Sequence, residues 1–368
     1  MEKVAMIDYV GKKAGMDYYN LGLLNSLSKN NTEVFLYSNF ISSNPGIHFY
    51  TVFGTFYRFK VVQLFNFLYA MIYACISCKR NKVRYVILHL FSTQLMSFLS
   101  FLFCKLFALK IITISHDVSS FAKDDNTFFR YLIYQKWSDK IVVHNKFSYD
   151  ALCSTNLSVK HKISIIKHGS FTHMPDSSVD KLKSREKLNL DKKTPYILFF
   201  GQIKKVKKLD VLLNSMQAVN EPIKLIVAGK VWKDNFDHYQ NIINRNNLEE
   251  RVILDIQFIS DEKRELYFKA VDLIVLPYEE IYQSGVLLMS MSYSMASVVS
   301  NIPPFKEIIE DGKNGYFFEK NNPTSLAQVI NQVFANPAKL EAVKKEALKT
   351  MLDHYSWDEI AKKYTDFF

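Results

Sequence analysis

Four cysteines in 368 residues (Cys75, Cys78, Cys104 and Cys153) are too few and too scattered for a disulfide framework, which points to a reducing compartment. The two most apolar stretches, 61–77 and 85–115, both fall short of the roughly 20 uninterrupted apolar residues that a spanning helix needs. The opening MEKVAMIDYV has only a short apolar run, broken by Asp8, so it reads as a first strand and not as a signal peptide. The full dinucleotide fingerprint G-x-G-x-x-G is missing, and no D-x-D follows a strand where it would hold a metal. Internal repeats and low-complexity tracts are absent as well. Acidic residues are in deficit: 36 Asp and Glu against 47 Lys and Arg leave a net charge of +11. That balance implies an anionic partner, such as a nucleotide, a nucleic acid or an anionic membrane surface. Nucleic acid is disfavoured, because the basic residues sit at strand ends and not on an aromatic stacking face.

An apolar content of 48% with 23% charged residues describes a folded chain, and its length suggests two domains. Strand-like runs alternate with helical ones throughout. The first half gives strands at 3–9, 33–38, 85–90, 111–115, 140–144 and 163–167, and the second at 196–201, 224–228, 252–255, 273–276 and 297–300. Such alternation means parallel sheets with crossover helices, here an α/β chain of two Rossmann-like domains. The break falls in the polar stretch HMPDSSVDKLKSREKLNLDKKT, which gives a first domain 1–172, a linker 173–194 and a second domain 195–352. The tail, 353–368, reads as an amphipathic helix with Trp357, Ile360, Tyr364 and Phe368 on one face. Cys75 and Cys78 form a C-x-x-C that reads as two small core residues, since no second ligand pair is near. The chain has 29 Phe and 21 Tyr, and TFYRFKVVQLFNFLYAMIYACISCKR has the composition of a surface-seated helix or of a core helix with a basic end.

Several strand ends carry polar residues that suit a ligand. Gly11 and Gly15 lie in a turn that feeds a helix, with two lysines between them, which suits approach by a phosphate or sugar. His116-Asp117 follows a strand, where an imidazole acts as a proton carrier or hydrogen-bond donor, or is structural. His168-Gly169 favours the structural reading. After the strand ending at Gly201, Lys204, Lys205, Lys207 and Lys208 crowd one loop, a repulsion that a pyrophosphate would relieve. Gly229-Lys230 repeats the pattern. LPYEEIYQSGVLLMSMSYSMASVVSN places two carboxylates, an amide, a hydroxyl and Gly285 between a strand and a helix, the place where doubly wound folds bind ligands.

These residues resemble the GT-B glycosyltransferases, specifically the large retaining family, glycosyltransferase family 4-like, that includes many bacterial surface-polysaccharide enzymes. FFGQIKKVKKLDVLL is similar to that family's F-G-R-x-x-x-x-K-G-x-x-x-L-L, and LIVAGK to its glycine-ended strand. DLIVLPYEEIYQSGVLLMSMSYSMASVVSN resembles its donor-site helix, and IPPFKEIIEDGKNGYFFE its G-x-x-E-x-x-x-x-G-x-x-G-x-x-F. The second half carries the specific part of the likeness. The resemblance implies two Rossmann-like domains facing a central cleft, the first binding acceptor and the second a UDP- or GDP-linked sugar. It implies that the closing helix packs back on the first domain.

By the same resemblance Lys207 bridges the diphosphate, with Gln202 standing where the family has an arginine and Lys204 or Lys205 compensating. Gly285 and the amides around Ser284 face phosphate and sugar, His116 lies near the sugar's reacting face, and Gly15 near the diphosphate. Tyr282 and Ser290 occupy the places of two family glutamates; Glu280 supplies a displaced carboxylate and Ser290 a bond to ribose. The catalytic positions are thus His116, Lys207 and Glu280. The donor-binding positions are Gly15, Gln202, Lys230, Tyr282, Gln283, Ser284, Gly285, Val286 and Ser290. The implied activity is metal-independent transfer of a glycosyl group, without a cofactor, to a glycan or lipid-linked oligosaccharide in surface polysaccharide or lipopolysaccharide synthesis. A peripheral contact with the inner face of the cell membrane accompanies it. Two other readings stand beside this one: a silent sugar-nucleotide-binding partner subunit, and an inverting GT-B transferase with Asp17 or His116 as base.

Overall fold

The computed structural model describes residues 1–54, 60–119, 125–155, 157–232 and 235–368. They form two compact units, one built from Met1–Gly169 together with Tyr355–Phe368, the other from Ser170–His354.

The first unit holds seven parallel strands: β1 (Glu2–Ile7), β2 (Thr32–Ser38), β3 (Ile47–Thr51), β4 (Tyr85–Leu90), β5 (Lys110–Ser115), β6 (Lys140–Val143) and β7 (Ile163–Ile165). Their order across the sheet is β3-β2-β1-β4-β5-β6-β7. The second unit holds β8 (Tyr196–Phe200), β9 (Lys224–Ala228), β10 (Val252–Asp255), β11 (Leu273–Leu276), β12 (Ala296–Ser300) and β13 (Tyr316–Phe318), in the order β10-β9-β8-β11-β12-β13. Central strands such as VAMI of β1 and LIVL of β11 are buried from end to end, because helices cover both faces of a parallel sheet. This is why they read as unbroken apolar runs.

Two strands escape the sequence reading. β3, IHFYT, is an edge strand with mostly half-buried or exposed side chains, so it shows no continuous apolar run. β13 is an edge strand of three residues. The polar stretch 173–194, expected as a linker, falls inside the second unit. Its helix Lys181–Lys187 carries a buried Arg185, which donates to Ala270 O (2.8 Å), Lys192 O (2.7 Å) and Asp272 Oδ2 (2.9 Å). One arginine with satisfied donors ties down a segment that has little apolar surface to bury.

Among the described residues one helix, Lys60–Arg80, is long and apolar enough to cross a membrane, and only a third of its most apolar window is buried. Residues 55–59, at the start of the expected surface-seated helix, lie outside the described residues. Phe67, Ala70, Met71, Ala74, Cys75 and Cys78 form its buried face, so the C-x-x-C is core packing. Val61, Phe65, Tyr69, Ile72 and Tyr73 are exposed on the other side.

The helix Trp357–Thr365 belongs to the first unit. Trp357 enters a slot whose walls are Gly22 and Gly169; a Cβ on either would come within 2.3 Å and 2.1 Å of its indole. Tyr364 shares a 3.1 Å hydrogen bond with Tyr19, and Ser26 donates to Asp358 Oδ1 at 2.6 Å. Truncating a buried tryptophan costs about 3–5 kcal/mol. Trp357→Ala is therefore expected to move the first unit's transition in urea unfolding by about that much, leaving the second unit's transition in place.

Candidate functional site

Both sheets reverse direction of winding at the same point. Numbered within its own sheet, each central run reads 3-2-1-4-5-6, so the reversal lies between β8 and β11 in the second unit and between β1 and β4 in the first. At such a point two successive crossovers leave on opposite faces, and the carboxyl ends of the strands open to a ligand.

In the second unit the edge is built from glycine. The ladder between β8 and β9 continues past both strands, with Gly201 N donating to Ala228 O and Ile203 N to Lys230 O, each at 2.9 Å. A Cβ on Gly229 would sit 1.9 Å from Gly201 O, so only glycine allows this pairing. A Cβ on Gly201 would meet Lys207 Nζ at 3.3 Å and Val286 Cγ2 at 3.6 Å. Those two distances bring the strand end, the lysine and the first turn of the helix Gly285–Ser292 together.

Lys207 has no carboxylate beside it among the described residues; its ammonium lies 5.2 Å from the centre of the buried Tyr278 ring. Desolvation, followed by repulsion from Lys204, draws its pKa down from 10.5 to about 7. Burial pushes the Tyr278 phenol up, with the Ser284 hydroxyl nearby opposing this, although no partner stands in hydrogen-bonding geometry to Tyr278 Oη. Ser284 caps the helix by accepting from Leu287 N at 3.2 Å. The amides of Gly285 and Val286 have no acceptor within the helix, and the space over Gly285 is open. A cation and two free amides next to one another make an anion site.

The other expected residues divide. Gln202, Lys205 and Lys230 are exposed at the same strand ends, and Lys204 lies over Trp232 at 5.1 Å. Tyr282 is buried and Gln283 half-buried in the turn before the helix. Glu280 is exposed with no partner among the described residues, whereas Glu279 pairs with Lys208 at 3.0 Å, which holds its carboxyl below the ordinary range. Ser290 is a correction. It is fully buried and donates to Leu287 O at 2.8 Å, so it is turned inward and offers no exposed hydroxyl to a ribose. Tyr278 was missed, because an aromatic next to Pro277 looks like ordinary core.

The first unit's edge is different. Gly15, with φ of +70°, joins the turn Gly11–Ala14 to the helix Met16–Lys29, and open space surrounds it. His116 is buried, stacked on Phe91 (4.6 Å, 9° between planes), and its Nε2 lies 2.8 Å from His89 Nδ1. It is one of a row: His89, His116, His144 and His168 stand at the ends of β4, β5, β6 and β7, with neighbouring ring centres 5.0, 5.1 and 5.5 Å apart. Tyr19 lies edge-on or tilted against all four. Burial lowers every one of these imidazoles, His144 to about 3 and His168 to about 4, and His116 is pushed well down by burial and then by His89, His144 and His168. Burial and the neighbouring imidazoles thus favour the neutral ring at His116. Among the described residues no group of His, Cys, Asp and Glu is arranged to hold a metal ion. The repeat of a histidine at the close of VILHL, ITISH, IVVH and IIKH is visible in the sequence and was the overlooked clue.

Two Rossmann-like parallel sheets of this topology on one chain are the fold of its GT-B structural neighbours. Residues 180–350, within the second unit, match the family model Glycosyl transferases group 1. An uncharacterised glycosyltransferase of Methanocaldococcus jannaschii is 24% identical over 233 residues, 61% of this chain and 58% of that protein. The chain spans about half the length of the curated relatives it matches. Sucrose-phosphate synthase from Thermosynechococcus elongatus has the same fold, with a TM-score of 0.79 and 16% identity over 100% of this chain and 98% of that one. HepE of Anabaena, solved in complex with UDP-glucose, gives a TM-score of 0.79 and 14% identity over 100% and 99%.

The Lys207 shift has a measurable sign. Between about pH 7 and 10.5 the unfolded chain holds a proton that the folded, unliganded chain has lost, so stability rises with pH across that window. An anion beside Nζ restores the charged form. Calorimetry of UDP binding at pH 8, in buffers of different ionisation enthalpy, is expected to show proton uptake that Lys207→Met abolishes.

Proposed function

We propose that this chain transfers a glycosyl group from a nucleoside-diphosphate sugar, UDP- or GDP-linked, to a glycan or lipid-linked oligosaccharide, with retention and without a metal. The observation that carries the reading is the Lys207 ammonium, desolvated and without a carboxylate, next to the first amides of the Gly285–Ser292 helix. The family match over residues 180–350 supports transferase chemistry, and the UDP-glucose complex of HepE supports a donor of that class.

In this reading the diphosphate lies along the glycine edge of β8 and β9, and Lys207 and the amides of Gly285 and Val286 meet the charge that develops as it leaves. Fixed donors of this kind act most strongly on the departing group, where charge is greatest. Lysine and helix dipole then do what a divalent cation does in other transferases. With retention, the acceptor hydroxyl approaches from the face the diphosphate leaves, and a phosphate oxygen takes its proton. Gln202, Lys204 and Lys205 flank the anion, and Glu280, solvent-exposed in the turn before the helix, is the carboxylate free to meet the sugar.

The helix Lys60–Arg80 supports a lipid-linked acceptor and a place at the inner face of the cell membrane. Its exposed face carries Phe65, Tyr69 and Tyr73, with Lys60 at one end and Lys79 and Arg80 at the other. Apolar surface with basic ends suits an interface of anionic lipid. Surface polysaccharide synthesis, which the family resemblance implies, is the setting this reading supports.

Removing one preorganised donor costs about 10²- to 10³-fold in turnover. Lys207→Ala is expected to lower donor turnover at least about 10²-fold, measured on a panel of UDP- and GDP-sugars. An unchanged rate removes the lysine from the reaction, and binding without turnover leaves a silent partner subunit. Separately, Phe65→Glu with Tyr69→Glu is expected to abolish sedimentation with phosphatidylglycerol vesicles. Equal sedimentation of variant and parent removes the membrane reading.

A further inference from the structure

At the reversal point of the first sheet a continuous line of hydrogen bonds runs from Asp8 through Asn20 and His89 to His116. Each link has only one possible sense. A carboxylate accepts and cannot donate, so Asp8 Oδ2 receives Asn20 Nδ2 at 2.7 Å. Asp8 is itself held by the amides of Val10 (2.9 Å) and Gly11 (3.0 Å). The Asn20 amide is thereby oriented with Oδ1 toward His89 Nε2, at 2.8 Å. That oxygen accepts, so His89 carries its hydrogen on Nε2 and its Nδ1 is bare. The bare nitrogen then accepts from His116 Nε2, also at 2.8 Å. His116 in turn is left with a lone pair, and no hydrogen, on Nδ1. Among the described residues the His116 ring has no hydrogen-bond partner besides His89, and Nδ1 is not among the buried atoms left unpaired.

We propose that Asp8, Asn20 and His89 are positioning residues that lock His116 in its Nε2–H tautomer, so that Nδ1 accepts a hydrogen bond from a sugar hydroxyl bound at this edge. The proposal rests on the glycosyl-transfer reading above and adds the polarity of the contact. The ring is fixed in the plane as well as in tautomer. Phe91 stacks on it, and the edges of Tyr19 and His144 lie at 5.5 and 5.1 Å between centres. The titratable groups facing it are His89, His144, His168 and Tyr19, and burial with those three imidazoles keeps the ring neutral. His116 therefore orients a hydroxyl and leaves its proton in place. A lone pair attracts the O–H of a neutral sugar and repels the carboxylate of a uronic acid, so the edge selects neutral, hydroxyl-bearing ligands.

The test is nitrogen-15 NMR of histidine-labelled protein, with the His116 resonances assigned through His116→Gln. The parent chain is expected to show a bare Nδ1 and a protonated Nε2 on both His89 and His116. His89→Leu removes the acceptor and is expected to release the tautomer of His116. His89→Asn, whose side-chain oxygen can replace Nδ1, is expected to keep it. In UDP-glucose hydrolysis, His89→Leu should lose about 10- to 100-fold in kcat/KM, as loss of an orienting partner does elsewhere, while His89→Asn stays near the parent. Affinity for UDP alone should be the same in all three. A His116 found protonated on Nδ1, or a tautomer indifferent to His89→Leu, overturns the proposal. So does a released tautomer with no loss of kcat/KM. Should His89→Leu not fold, Asn20→Leu takes its place in the same measurements. A parent chain with the expected tautomers but no turnover of any donor sinks the glycosyl-transfer reading and the sugar contact with it, and leaves the relay itself standing.

Discussion

A half-buried lysine ammonium with no carboxylate beside it among the described residues is the constraint around which the second unit's edge is arranged. Such a charge is unfavourable in the empty protein, and the shift of Lys207 to about 7 records that cost. The surrounding structure does nothing to remove it. Glu279 in the neighbouring turn is paired with Lys208, and Tyr278 offers only the face of its ring. The position of the ammonium depends in turn on two glycines, since the β8–β9 ladder could not run on to Lys230 with a side chain at Gly229. Backbone geometry thus fixes where the uncompensated charge sits.

The two units use one topology for opposite electrostatic ends. In the second, lysines and helix amides gather positive potential at the strand ends. In the first, the corresponding place is filled by four neutral imidazoles, an amide and one carboxylate that is already hydrogen-bonded by two backbone amides. A charged edge binds an anion whatever its shape, while a neutral edge with a fixed tautomer distinguishes donor from acceptor groups.

Much of this was legible in the chain. Buried parallel strands write themselves as apolar runs, and eleven of the observed strands were read from such runs, among them the edge strands β7 and β10, whose residues are mostly apolar though half-exposed; β3 and β13 were not read. Lys207, Gly285 and Ser284 were visible because glycine and lysine clusters at strand ends are rare in ordinary loops. Ser290 misled: one residue along a helix turns a side chain by about 100°, and counting positions against a family pattern does not say which face looks inward. The hydrogen-bond line through His89 was hidden for a different reason. Its members lie far apart in the chain, and only the strand order brings Asp8, Asn20, His89 and His116 to one edge.

The Trp357 slot also bears on how the molecule is made. The first unit is completed only by Tyr355–Phe368, which come after the whole of Ser170–His354. Units usually fold in the order in which they leave the ribosome. Here the earlier one stays open along the slot between Gly22 and Gly169 until the last helix has been synthesised. The nascent chain therefore carries an unfilled apolar groove through the translation of the second unit, and surface of that kind favours association with other chains until the helix docks.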